Sequence, residues 1–139
     1  MSPSEYAMNL IGVPYTWGGK FVETGLDCSG MVSESLKATG YLPSNYLMSS
    51  RDLYNFYKKF AIGSGIEKDS ILFFADENKP IHHVALAVND FLMIESAGEG
   101  RRPSDSGSVR IRPIATRGNL VASLILPKDF YYQYIELFL

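Results

Sequence analysis

Cysteine is nearly absent from this chain: one, Cys28, among 139 residues. A lone thiol forms no internal disulfide, so stability does not depend on an oxidising compartment. One cysteine and two adjacent histidines also lack the paired spacing of a zinc site. Charge of either sign is scarce in excess. The formal net charge is −2, which gives no reason to expect nucleic acid as a partner. No apolar run is long enough for a membrane span. The amino terminus has no basic stretch followed by an apolar segment, so no secretion signal is expected. Repeats, low-complexity tracts and linkers are missing too.

What is present describes one globular domain. A hydrophobic share of 46% against 20% charged residues suffices to bury a core at this length. Ser2-Pro3-Ser4-Glu5 is a capping box with proline in the first helical position. Ala7, Leu10 and Ile11 then supply an apolar helical face up to Gly12. Residues 13 to 27 read as a glycine-rich loop. Met31, Val32 and Leu36 fall at helical spacing from Cys28, and Thr39-Gly40 ends that helix. A second capping pattern, Ser49 to Asp52, precedes Leu53, Phe56, Tyr57 and Phe60. After Gly63-Ser64-Gly65 the period changes to that of strands: Ile71 to Ala75, His83 to Val88, Met93 to Ser96, Val109 to Ile111 and Leu120 to Leu126. Helices first and strands afterwards predict an α+β fold, with helices on one face of a mostly antiparallel sheet of about five strands.

Three residues invite chemistry. Cys28 opens a helix behind Asp27, a good N-cap. A helix start stabilises negative charge, so the thiol is expected to ionise readily. The competing reading is a small buried hydrophobe, the common fate of a free cysteine. His82 and His83 open a strand on opposite faces, and His83 shares its face with Ala85 and Ala87. Those small residues leave room for a helix end to approach, which makes His83 the partner of choice for Cys28. A thiolate–imidazolium pair needs a third group to fix the ring. Glu95 interrupts an apolar strand and is the candidate. A two-residue turn at Asn89-Asp90 would face Glu95 away from His83. A three-residue loop, Asn89-Asp90-Phe91, would set it opposite Ala85 and diagonal to His83, and a bulge would serve as well. An exposed strand carboxylate is the alternative.

Three stretches taken in order carry a resemblance. They are Gly12-Val13-Pro14-Tyr15-Thr16-Trp17-Gly18-Gly19, Asp27-Cys28-Ser29-Gly30, and His83-Val84-Ala85-Leu86-Ala87-Val88. Together they resemble the NlpC-type cell-wall cysteine peptidases, a bacterial branch of the papain-like fold, over roughly residues 5 to 126. The resemblance implies a peptidase domain over residues 1 to 127. It implies Cys28 as nucleophile, His83 as the base that then protonates the leaving amine, and Glu95 in the place of a third polar residue that is often histidine. Tyr15 and Trp17 would line the site, and Asp27 and Ser29 would contact the amino-terminal side of the substrate. The substrate implied is a peptidoglycan stem peptide, cut at a γ-D-glutamyl–diamino-acid bond through a thioacyl-enzyme with no cofactor. An anion at position 95 would favour a protonated His83. Asp69-Ser70 stands where the family commonly has Gly-Asp.

Residues 128 to 139 form an aromatic tail expected to pack back on the domain, with a partner protein as the other reading. Rival functions are a catalytically silent structural or binding module, such as a phage tail component, and an amidase or acyltransferase using the same Cys–His pair. Delivery to the cell wall by a phage, as an effector or by another non-classical route is the expectation for location.

Overall fold

The computed structural model describes residues 1–98 and 107–139. Helix α1 (Pro3–Met8) starts as its capping pattern predicts, the Glu5 carboxylate accepting from the Ser2 N–H at 2.8 Å. It stops earlier than the apolar spacing suggests. Asn9 caps it, turns carry the chain to Gly12, and Ile11 is left exposed. Residues 13 to 27 are more than a loop. They hold a small hairpin, β1 (Lys20–Phe21) and β2 (Gly25–Leu26). Helices α2 (Cys28–Ala38) and α3 (Ser50–Tyr57) begin at Asp27 and Ser49, whose side chains accept from Gly30 N–H and Asp52 N–H.

Five strands make the main sheet: β3 (Ile71–Ala75), β4 (Ile81–Ala87), β5 (Leu92–Gly98), β6 (Gly107–Pro113) and β7 (Leu120–Leu124), in the order β6-β5-β4-β3-β7, each pair antiparallel. Alternation along each strand sends side chains to opposite faces. One face carries Ile71, Phe73, Val84, Leu86, Ile94 and Val109 and is buried under Leu10, Met31, Val32, Leu36 and Leu53 from the helical half. Each such side chain contributes roughly 1.5–3 kcal/mol on burial, so this face holds the domain together. The opposite face has a smaller cluster, Leu72, Phe74, Ala85, Ala87, Met93 and Ile114. The small residues at 85 and 87 therefore accommodate side chains of that second cluster, not a helix end.

Asp69 takes a left-handed φ of 73° just before β3. Its carboxylate accepts from Ser4 N–H at 2.8 Å and from the Ser4 hydroxyl at 2.6 Å, tying α1 to the sheet. The tail packs on the domain as a short helix, α4 (Phe130–Gln133), and a 3-10 turn. Phe130 is fully buried against Tyr41, Tyr57 and Phe60, while Tyr132 remains exposed. No helix of the described residues is long and apolar enough to cross a membrane.

Candidate active site

Cys28 is the first residue of α2. Asp27 holds that end by accepting from Gly30 N–H at 2.6 Å with its side chain and from Met31 N–H at 3.1 Å with its carbonyl. Gly30 is required where it stands, because a Cβ there would run into the Gly19 carbonyl. The glycine loop thus lies directly on the start of α2. Ser96 reinforces this by donating its hydroxyl to the Leu26 carbonyl at 2.6 Å.

These contacts open a cleft of about 610 Å³ whose lining includes Tyr15, Trp17, Cys28, His82, His83, Asp76, Ser96 and Arg117. Four of the seven residues singled out in the sequence, Tyr15, Trp17, Cys28 and His83, therefore share one cavity. Glu95 lies behind His83 and is 0% exposed. Asp27 and Ser29 stand beside the cleft, occupied by Lys20. The Lys20 ammonium donates to both Asp27 oxygens at 3.0 and 2.8 Å and to the Ser29 hydroxyl at 2.6 Å. Of the two histidines, His82 is exposed and sits 3.4 Å from Asp76, while His83 is buried.

The hairpin between β4 and β5 decides where Glu95 points. Val88 N–H bonds to the Leu92 carbonyl at 2.8 Å, and Leu86 pairs with Ile94, Ala87 with Met93. The loop is therefore three residues, Asn89-Asp90-Phe91, and alternation on from the Leu86–Ile94 pair puts Glu95 on the same face as Ala85 and His83. The Asn89 side chain holds this loop by accepting from Phe91 N–H at 2.8 Å and Leu92 N–H at 2.9 Å. Glu95 Oε1 then lies 2.7 Å from His83 Nε2.

Glu95 also has three guanidinium neighbours. Arg117 Nε donates to the same Oε1 at 3.1 Å, Arg112 Nη1 lies 3.4 Å from Oε2, and Arg110 Nε 3.9 Å from Oε2. Burial opposes ionisation of Glu95. The His83 hydrogen bond and the charges of His83 and Arg117 outweigh it and hold the carboxyl down to about 2. An ionised carboxylate only accepts, so Nε2 of His83 bears the proton and Nδ1 is left as the basic nitrogen.

Burial acts on two expectations about charge here. Burial, with Arg117 adding to it, pushes His83 below its ordinary value despite the bond to Glu95. The anion at 95 favours the protonated ring, as expected, and burial outweighs it. Burial, and next the Asp27 carboxylate, push the Cys28 thiol up to about 11, against the opposing pull of the backbone at Val84 and Ser29 and of Lys20. The helix start alone does not produce a resting thiolate. Both shifts favour the thiol and the neutral imidazole over a resting ion pair.

Sequence reasoning missed Arg117, Lys20 and Asp76. Arg110 and Arg112 carried a signal, since their spacing of two places both on one face of β6, with Arg110 opposite Glu95 and Arg112 opposite Met93. Among the described residues no group of three or more His, Cys, Asp or Glu is arranged to hold a metal.

Comparison with known proteins gives the arrangement its family. Over 101 residues the chain is 34% identical to the bifunctional muramidase/DL-endopeptidase CwlT of Bacillus subtilis (strain 168), covering 71% of this chain and 30% of that protein. Over 100 residues it is 37% identical to the gamma-D-glutamyl-L-lysine dipeptidyl-peptidase of Bacillus subtilis (strain 168), covering 66% and 30%. It thus spans 30% of the length of each of these relatives. The crystal structure of an NlpC/P60 family protein from Bacillus cereus ATCC 10987 superposes with a TM-score of 0.66 at 26% identity, covering 91% of this chain and 40% of that one. The NlpC/P60 family model matches residues 12–117, and with this papain-like α+β fold the chain belongs to the NlpC/P60 family.

Proposed function

We propose that this chain is a cysteine endopeptidase that hydrolyses peptide bonds in peptidoglycan stem peptides. The observation that carries the reading is the placement of His83, with Nε2 held by buried Glu95 and the ring lining the same cleft as Cys28. Named activities of the relatives, DL-endopeptidase and gamma-D-glutamyl-L-lysine dipeptidyl-peptidase, support a γ-D-glutamyl–diamino-acid bond as the target.

In this mechanism Nδ1 of His83 takes the proton from Cys28 Sγ as the sulfur attacks the scissile carbonyl. Starting from a neutral pair, the charge separation develops in the transition state. Gly30 N–H and Met31 N–H are already bonded to Asp27, so the Cys28 and Ser29 N–H groups at the helix start are the donors suited to the oxyanion. Tyr15, on the cleft wall, helps hold the carbonyl. The tetrahedral adduct collapses, His83 gives its proton to the leaving amine, and a thioester remains on Cys28. Water, deprotonated by the same Nδ1, then releases the acid and restores the thiol. Glu95 keeps the imidazole in the required tautomer throughout. Asp27 and Ser29 serve the amino-terminal side of the substrate, with Lys20 as the group a substrate ammonium would have to displace.

The test is incubation of the purified chain with defined stem peptides, with identification of the new amine by mass spectrometry. Loss of that product on Cys28→Ala supports the endopeptidase. Equal behaviour of the two proteins, without product, identifies a silent module instead.

A further inference from the structure

Arg117 holds Glu95 with one edge of its guanidinium and, among the described residues, has another edge to spare. Its Nε donates to Glu95 Oε1, the oxygen that also receives His83 Nε2. The guanidinium lies 5.9 Å from the Phe74 ring, which packs on His83 as well, at 5.5 Å between centroids. The segment that carries it is pinned on both sides. Ile114 N–H bonds to the Phe91 carbonyl at 2.8 Å, and Ala75 N–H bonds to the Asn119 carbonyl at 3.2 Å. Arg117 is therefore fixed before any ligand arrives. It lines the cleft with its side chain 24% exposed. Among the described residues its two terminal nitrogens have no hydrogen-bond partner.

Glu95 takes up Nε of Arg117 on Oε1 and Nη1 of Arg112 on Oε2, and of these two guanidiniums Arg117 lines the cleft. Asp76 stands on the same cleft wall with the opposite sign, 3.4 Å from the exposed His82. A guanidinium held through Nε presents its terminal pair as a planar fork that fits a carboxylate at two points.

We infer that Arg117 is a specificity residue whose free edge receives a carboxylate of the substrate next to the scissile bond. The inference rests on the stem-peptide reading above. Such a peptide offers that chemistry from two sources, the α-carboxylate of the γ-linked D-glutamate and the side-chain carboxylate of a diaminopimelate. Arg117 is also a positioning residue for Glu95, so a fall in rate on its replacement would not by itself identify the second role. The ratio between carboxylate and carboxamide substrates does.

The experiment uses the chain as it stands and three peptides: L-Ala-γ-D-Glu-meso-diaminopimelate-D-Ala, its form with the glutamate α-carboxylate amidated, and its form with the diaminopimelate side-chain carboxylate amidated. kcat/KM is measured for wild type, Arg117→Gln and Arg117→Lys, and binding of the same peptides by calorimetry on Cys28→Ala with and without Arg117→Gln. Wild type should prefer the parent peptide over one amidated form by on the order of tenfold or more, the scale of a charge-assisted pair. The arm that shows the preference names the source. Arg117→Gln should bring the ratio close to one whatever its overall rate, and Arg117→Lys should keep part of it. Equal use of all three peptides by wild type, or a preference that survives in Arg117→Gln, overturns the role of Arg117 and leaves the peptidase reading intact. Carboxylate-dependent binding without cleavage overturns the peptidase reading and supports Arg117. Peptides neither cut nor bound overturn both.

Discussion

The two faces of the five-stranded sheet are built on different physics. The face under the helices is held by Phe73, Val84, Leu86 and Ile94 with Met31, Val32 and Leu36, and its energy is that of apolar burial. The other face has a thin apolar patch around Phe74, Ala85 and Met93, extended by His83, Glu95 and three arginines. There a carboxylate with no solvent exposure is stabilised by charge and hydrogen bonds. The first face can lose a side chain and keep its chemistry. In the proposed mechanism the second ties stability and chemistry to the same groups, so a change there should disturb both.

Substitutions that separate the two properties test this contrast. The largest expected effect is His83→Ala, which should lower kcat by roughly 10²–10⁴-fold and, by taking a hydrogen-bond partner from buried Glu95, also lower the midpoint of urea unfolding. Next come paired truncations, one per face. Phe73→Ala should cost about 3–5 kcal/mol in urea unfolding yet leave kcat per folded molecule near that of wild type. Glu95→Ala should cost a similar ~3–5 kcal/mol, because three guanidiniums lose their counter-charge, and should also depress kcat. Glu95→Gln, which keeps an acceptor for Nε2, should recover part of kcat. If Glu95→Ala leaves kcat untouched, His83 is held by other contacts and the two faces are alike in this respect.

Acid should distinguish the faces without mutation. The folded value for Glu95, about 2, lies below its ordinary carboxylate value. Its contribution is therefore complete above about pH 4.5 and is lost as pH falls from there toward 2, on the order of 3 kcal/mol in all. Unfolding free energy followed over that window should decline in wild type and in Phe73→Ala, and decline less in Glu95→Gln. The smallest effect concerns Cys28. Iodoacetamide labelling should titrate above the ordinary thiol range, in line with the value near 11. Asp27→Asn should lower that midpoint, since it removes a neighbouring anion, with a stability cost below about 1 kcal/mol because asparagine also caps. A midpoint well under 8.5 would restore the resting thiolate.

The helix-covered face was legible in the sequence because its signals are local. Alternation at Val84, Leu86 and Val88, helical spacing from Met31 to Leu36, and caps at Ser2, Asp27 and Ser49 each act over a few residues. The hairpin was half legible: both loop lengths suited the pattern, and the bonds of Asn89 to Phe91 and Leu92 select three residues. The charged face was hidden because its partners lie far apart in the chain. Arg117 meets Glu95 across 22 positions. Lys20 reaches Asp27 and Ser29 only because two short strands fold a stretch that reads as loop. The raised thiol follows from desolvation, which is a property of the finished packing and not of the residues flanking Cys28.

Trp17 is the only tryptophan in the chain, and it stands 59% exposed on the wall of the cleft. An indole emits at a wavelength set by the water around it, so this ring is an optical probe already installed at the site. A peptide lying across the cleft should strip water from it and shift its emission to the blue. Titration of Cys28→Ala with uncleaved peptide would then report occupancy without any label, and a stopped-flow trace would separate arrival of the substrate from the chemistry that follows.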